Sequence, residues 1–170
     1  VVVYVGTRKL MVMLGDIGTG NPHVLRSEET LSPDGFEKGL VSNLQNASSS
    51  LEKLLTAILP PEAWDQVPVY VVLGNSRFKM YRFSSCEYFS PERRTITPHE
   101  VQSVVQQTRN VATLPLTESI LQAIPESFLV NDMPAVRNPV GLEVERLGVT
   151  LQLYTMEFQA FRNIAKVFET

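Results

Sequence analysis

Asn138-Pro139-Val140-Gly141-Leu142 is the stretch whose reading decides the fold. Asn-Pro opens a turn, because proline pushes the residue before it out of the helical region. Gly141 then permits a backbone angle that side chains resist. Just beyond, Leu147, Val149, Leu151 and Leu153 alternate with Gly148, Thr150 and Gln152, as an antiparallel strand covered on one face should. Upstream, residues 118–130 read as a long strand bent at Pro125. Further upstream, Thr97-Pro98-His99-Glu100 spells a capping box: Thr97 as N-cap, Pro98 at the first helical position, Glu100 reaching back. The helix it opens carries Val101, Val104, Val105, Thr108 and Val111 on one face and is predicted to pack on the ribbon 147–154. A last helix from about Met156 is expected to bury Phe158, Phe161, Ile164, Ala165 and Phe168. The order is α-β-β-α, or β-α-β-β-α if the segment near Tyr88 pairs with the sheet.

The first half follows a different pattern. Val1 to Val5 and Leu10 to Leu14 are apolar runs separated by Gly6 to Lys9, which suits a hairpin. Gly18-Thr19-Gly20-Asn21-Pro22 is a turn, and His23 to Leu31 reads as a third strand. Asn43 caps a helix whose Leu44, Ala47, Leu51, Leu54, Leu55 and Ile58 form one stripe, and Pro60-Pro61 ends it. Val67 to Leu73 reads as a strand covered on both faces, entering parallel beside the first. After the turn Gly74-Asn75-Ser76 a further strand is expected over 77–83, and the polar stretch 84–95, with Pro91, reads as a connection. Two units result, 1–84 and 85–170.

Composition narrows the function classes. The 170 residues suffice for one large or two small domains, with 44% hydrophobic and 19% charged residues. A net charge of −3 and a pI near 5.4 argue against a nucleic-acid or anionic-membrane surface. The single Cys86 excludes an internal disulfide, and no Cys/His cluster has metal-site spacing, so no metal is expected. No apolar run approaches the ~18 residues that cross a bilayer. The start Val1-Val2-Val3 lacks both a basic leader and an initiator Met, from which a longer, cytoplasmic parent is expected.

Candidate sites are few. Gly6 and Thr7 would present backbone N–H groups and a hydroxyl to a phosphate, with Lys9 as the cation; the plain alternative is a tight hairpin with solvated Arg8 and Lys9. His23 and His99 have no nucleophile beside them, Cys86 has no activating neighbour, and Glu126 and Asp132 lack a placed partner base. Catalysis is therefore not expected.

These segments resemble the bacterial cell-division protein family FtsA over essentially the whole chain. The matching pieces are Gly6-Thr7-Arg8-Lys9, Gly35-Phe36-Glu37-Lys38-Gly39, the strand ending Leu73-Gly74, Thr97/Glu100, Ile124-Pro125-Glu126-Ser127-Phe128, Asn138 to Leu142, and Arg162-Asn163-Ile164. The resemblance implies an α/β (α+β) fold: a partial ribonuclease-H-like, actin-type subdomain 1A, followed by the SHS2-type strand-helix-strand-strand subdomain 1C. The module is shared with the pilus-assembly relative PilM, but Asn-Pro-Val-Gly-Leu favours FtsA. It further implies that Gly6, Thr7 and Lys9 are a remnant phosphate loop. Asn138, Pro139, Val140, Gly141 and Leu142 would contact partners: other FtsA-like subunits and divisome proteins, with FtsZ a partner of a full-length parent.

The second phosphate loop, the adenosine region and the terminal membrane helix are not in this stretch. No cofactor is therefore expected for the chain itself, with ATP and Mg²⁺ reserved for a parent held peripherally at the inner face of the membrane. Tyr4 stands where the family has an acidic residue that helps hold Mg²⁺, and a phenol of pKa ~10 offers no anionic oxygen at neutral pH. The implied function is a non-catalytic scaffold of the divisome. The alternatives are an actin-like ATPase lacking its second half, or a PilM-like protein that captures a peptide from an inner-membrane partner.

Overall fold

The computed structural model describes residues 1–18, 20–75, 77–89 and 93–169. Thr19, Ser76 and Ser90 to Glu92, which belong to the predicted turns and connection, lie outside the described residues. The chain divides into two compact units, Val1–Arg77 with Gln159–Thr170, and Phe78–Phe158. The sequence boundary at 84/85 thus falls inside the second unit, and the last helix goes with the first.

In the first unit, β1 (Val2–Gly6), β2 (Lys9–Asp16) and β3 (His23–Leu31) form the predicted meander. A two-stranded hairpin, β4 (Phe36–Glu37) and β5 (Leu40–Val41), precedes α1 (Leu44–Ile58), a 3₁₀ turn (Pro61–Gln66) and β6 (Tyr70–Gly74). The sheet order is β3-β2-β1-β6, with β6 parallel to β1. Parallel neighbours need a crossover, and α1 supplies it. Alternate residues Val1, Val3, Val5, Leu10 and Val12 face one way and are buried with Ala47, Leu51 and Ile58 of α1. Asn43 starts α1 as expected, its Oδ1 accepting from the Asn46 N–H at 3.0 Å. Gly35, at φ +84°, brings the preceding loop onto α1, where its carbonyl accepts from Ser42 and Asn43.

Two expectations fail here. The sequence of 67–73 predicts a strand covered on both faces, yet Val69, Tyr70, Val71 and Val72 are exposed. Within this sheet β6 is an edge strand, and an apolar run cannot by itself distinguish an edge from a centre. Leu44, in the first turn of α1, is also exposed.

In the second unit, β7 (Lys79–Tyr88), β9 (Glu118–Val130), β10 (Met133–Val136) and β12 (Arg146–Glu157) form one antiparallel sheet of order β10-β9-β12-β7. A small ladder joins β8 (Arg94–Thr95) to β11 (Glu143–Val144). One helix, α2 (Pro98–Val111), covers the sheet, with the capping box of Thr97 and Glu100 formed at its start. Leu147, Val149, Leu151 and Leu153 point at α2 and are buried with Phe128, Val130 and Val104. Thr108, fully buried, donates to the Val104 carbonyl at 2.7 Å; its proton is thereby committed, so the Ser85 hydroxyl is the donor of the Ser85–Thr108 bond. Where β9 meets β12 the register shifts opposite Pro125 to Ser127, and this extra residue is the predicted bend.

The stretch 84–88 is not a connection. β7 pairs with β12 from Lys79↔Thr155 to Arg146↔Tyr88, so the segment near Tyr88 joins the sheet as in the β-α-β-β-α alternative, except that the last helix belongs to the first unit. Its polarity misleads because every second residue of this strand faces solvent. The last helix, α3 (Phe158–Val167), buries Ile164 and Val167, whereas Phe158 and Phe161 are exposed. Val111, at the end of the α2 stripe, is exposed as well.

Candidate functional site

The first candidate lies at the carboxyl ends of the parallel pair β1 and β6. There Gly6 and Gly74 stand opposite each other in register. Ligands of α/β sheets approach at this end, and two glycines side by side leave a floor of bare backbone. The β4–β5 turn closes in: Asn75 Nδ2 donates to the Gly39 carbonyl at 3.3 Å, and Gly39 adopts φ +76°. The structure therefore gathers three separate segments of the chain, around Gly6, Gly39 and Gly74.

The predicted ligating groups are otherwise engaged. The Thr7 hydroxyl donates to the Gly74 carbonyl at 3.1 Å. Lys9 Nζ lies 3.0 Å from a Glu29 carboxylate oxygen and 5.9 Å from the centre of the Tyr4 ring. Tyr4 itself lies over both glycines. A Cβ built on Gly6 would sit 2.4 Å from Tyr4 Cε1, and one on Gly74 would sit 2.4 Å from Tyr4 Oη. The space above the floor is taken by the chain's own ring. Beside it Val2, Lys9, Met11, Met13, Val72 and Tyr4 line a shallow hollow of about 260 Å³, apolar but for the lysine and the phenol.

The second candidate is the loop 138–142. Asn138 Oδ1 accepts from the Val140 N–H at 3.1 Å, the turn foreseen for Asn-Pro. Gly141 adopts φ +86°, its N–H donates to the Ile96 carbonyl at 2.8 Å, and the Ile96 N–H returns a bond to Leu142 at 2.9 Å. Ile96 is buried just ahead of α2, so these bonds tie the loop to the helix start. Val140 is 41% and Leu142 38% exposed, two apolar side chains presented on a fixed backbone. Fixed loops of this kind are common recognition sites.

Charged groups elsewhere in the second unit bind strand to strand. Glu118, with its side chain only 3% exposed, accepts from Lys79, Tyr81 and Thr155 and so joins β9 to β7 and β12. The bond from Lys79, then that from Thr155, holds its carboxyl below the ordinary 4.5 despite burial. The same contact, with the carboxylate charge, raises Lys79 above 10.5. Stability from Glu118 is thus present above 4.5 and lost as pH falls through the lowered value; that from Lys79 is present below 10.5 and lost above the raised value. With Lys79 well exposed, screening keeps its share small. The thermal midpoint of the native chain is expected to fall on acidification below 4.5, with a smaller acid-side slope in Glu118→Gln; equal slopes in a pH series of melts would refute the assignment.

Glu126, considered as half of an acid pair, is bound to Arg82, and Asp132 to Arg146. Cys86 is exposed, and among the described residues no group of three or more His, Cys, Asp or Glu is arranged to hold a metal. Among the described residues no helix is long and apolar enough to cross a membrane.

Comparison with known proteins agrees with this architecture. Residues 83–155 match the family model described as the SHS2 domain inserted in FTSA, so the second unit contains a domain of that kind. The chain is 20% identical over 162 residues to the cell division protein FtsA of Borreliella burgdorferi, covering 95% of this chain and 39% of that protein. It is 21% identical over 165 residues to FtsA of Escherichia coli K12, covering 97% of this chain and 39% of that protein. Among solved structures, a chain of a PilM-PilN type IV pilus biogenesis complex superposes with a TM-score of 0.58 at 12% identity, covering 98% of this chain and 43% of that one. The resemblance to the N-terminal part of FtsA therefore holds along the whole chain, and the fold is a partial actin-type subdomain with an SHS2 module. The chain spans about two fifths of the length of these relatives.

Proposed function

We propose that this chain is the interaction and scaffold portion of an FtsA-like cell-division protein, with no catalytic role of its own. It would associate with other FtsA-like subunits and with divisome proteins at the FtsZ ring, on the cytoplasmic side of the membrane in a full-length parent. Of the loop Asn138, Pro139, Val140, Gly141 and Leu142, the exposed Asn138, Val140, Gly141 and Leu142 would be the contact, with Pro139 buried beneath them. The observation that carries this reading is that the FtsA-type SHS2 match includes a loop whose apolar tips are exposed while its backbone is tied to the start of α2. An exposed apolar pair on a fixed frame binds without a large ordering penalty.

The test is Val140→Glu in sedimentation equilibrium of the purified chain and in pull-downs against purified division proteins. Placing a carboxylate where an apolar side chain would be desolvated weakens binding by about tenfold, near 1.4 kcal/mol. That weakening is expected with an unchanged thermal midpoint, because the side chain is half in solvent already. Binding that survives intact would remove the loop from the interface. The likeness to a PilM chain supports a second reading, capture of an inner-membrane partner's peptide. Recovery of pilus-assembly proteins in place of division proteins would favour it.

A further inference from the structure

We infer that Tyr4 closes the phosphate floor at the ends of β1 and β6, making this end of the first unit's sheet refractory to nucleotide whatever partner the second unit binds. The floor is bare for a reason: Gly6 and Gly74 end adjacent parallel strands in register, so nothing from the backbone itself blocks an anion there. A phosphate resting on this bare backbone would have to occupy the layer where a first side-chain carbon would otherwise lie. The Tyr4 ring already occupies that layer, since a single carbon added to either glycine would lie 2.4 Å from ring or hydroxyl atoms. Tyr4 and Gly6 are two residues apart on one strand, as are Val72 and Gly74 on the next, so one ring running along the strand direction covers both.

The polar groups nearby point the same way. Glu29 neutralises Lys9, and Gly74 accepts from Thr7, so the two side chains that would have met a phosphate bind the protein instead. Tyr4 also supplies no carboxylate where a water-coordinated magnesium would need one. The ring both blocks the floor and removes the metal's partner.

The experiment is a titration of the purified chain with inorganic phosphate and, separately, magnesium-ATP, followed by amide NMR at Gly6, Thr7, Gly74 and Asn75. The native chain is expected to show no saturable shift. In Tyr4→Ala the uncovered floor is expected to give saturable shifts at these amides, with an affinity on the order of 1 mM for so few hydrogen bonds. Saturable shifts in the native chain would overturn the inference, and so would silence of a folded Tyr4→Ala, because the ring would then not be the barrier. Nuclear Overhauser contacts from the Tyr4 ring to the Gly6 and Gly74 α-protons, measured on the native chain alone, keep the question decidable if the variant does not fold. Their absence would refute the closed floor.

Discussion

Leu151→Ala is expected to lower the stability of the second unit by about 3–4 kcal/mol, among the largest effects of any single truncation in the chain. Leu151 is fully buried in β12, the inner strand that pairs with both β7 and β9, and stands opposite Phe83 on one side and Pro125 on the other. Shortening it strips away apolar packing and leaves a void beneath α2 that neighbours on three strands cannot all fill. At this chain length the thermal midpoint should drop by roughly 10 °C. Amide exchange along β12 should accelerate in step, which ties the destabilisation to this unit. Gln102→Ala, on the solvent side of α2, should stay within about 0.5 kcal/mol of native. A Leu151→Ala protein that melts with the native chain would mean that the four alternating aliphatics are not the core.

Gly35→Ala is expected to cost the first unit a similar amount, about 3–4 kcal/mol, for a different reason. At φ +84° any side chain is disfavoured, which by itself costs about 1–2 kcal/mol. The remainder is steric: a Cβ would lie 2.1 Å from the Ala47 nitrogen and 2.5 Å from the Asn43 oxygen. Both atoms are backbone at the start of α1, so they can yield only if the helix moves off the sheet. Gly141 separates the two contributions. It has φ +86° but nothing within 4 Å of an added Cβ, so Gly141→Ala should show the dihedral penalty alone. Equal melting points for the two alanine variants would show that the clash at Gly35 is relieved locally.

The sequence carries the elements whose signals are local. The Thr97–Glu100 box, the Asn43 cap and the four alternating residues of β12 each state their own conformation within a few positions, and each is found as read. Assembly is harder to see. β7 runs past the expected boundary because its partner is β12, far along the chain, and nothing in 84–88 names that partner. β10 escapes a sequence reading because it is a short edge strand containing Pro134, which weakens the usual strand pattern. At the candidate sites, the glycines at 6 and 74 and the loop 138–142 are legible as motifs. Where the Tyr4 ring goes is not, since its position depends on two glycines that meet only after β6 pairs with β1. The Glu118 clasp is hidden for the same reason: its three donors come from two other strands.

The pairing of Lys79 with Thr155 bears on how separable the second unit is. Strand neighbours sit about 5 Å apart, so the two points where the polypeptide enters and departs this module are side by side. A module with adjoining ends can be lifted out, or traded for another of its kind, by cutting twice at one corner.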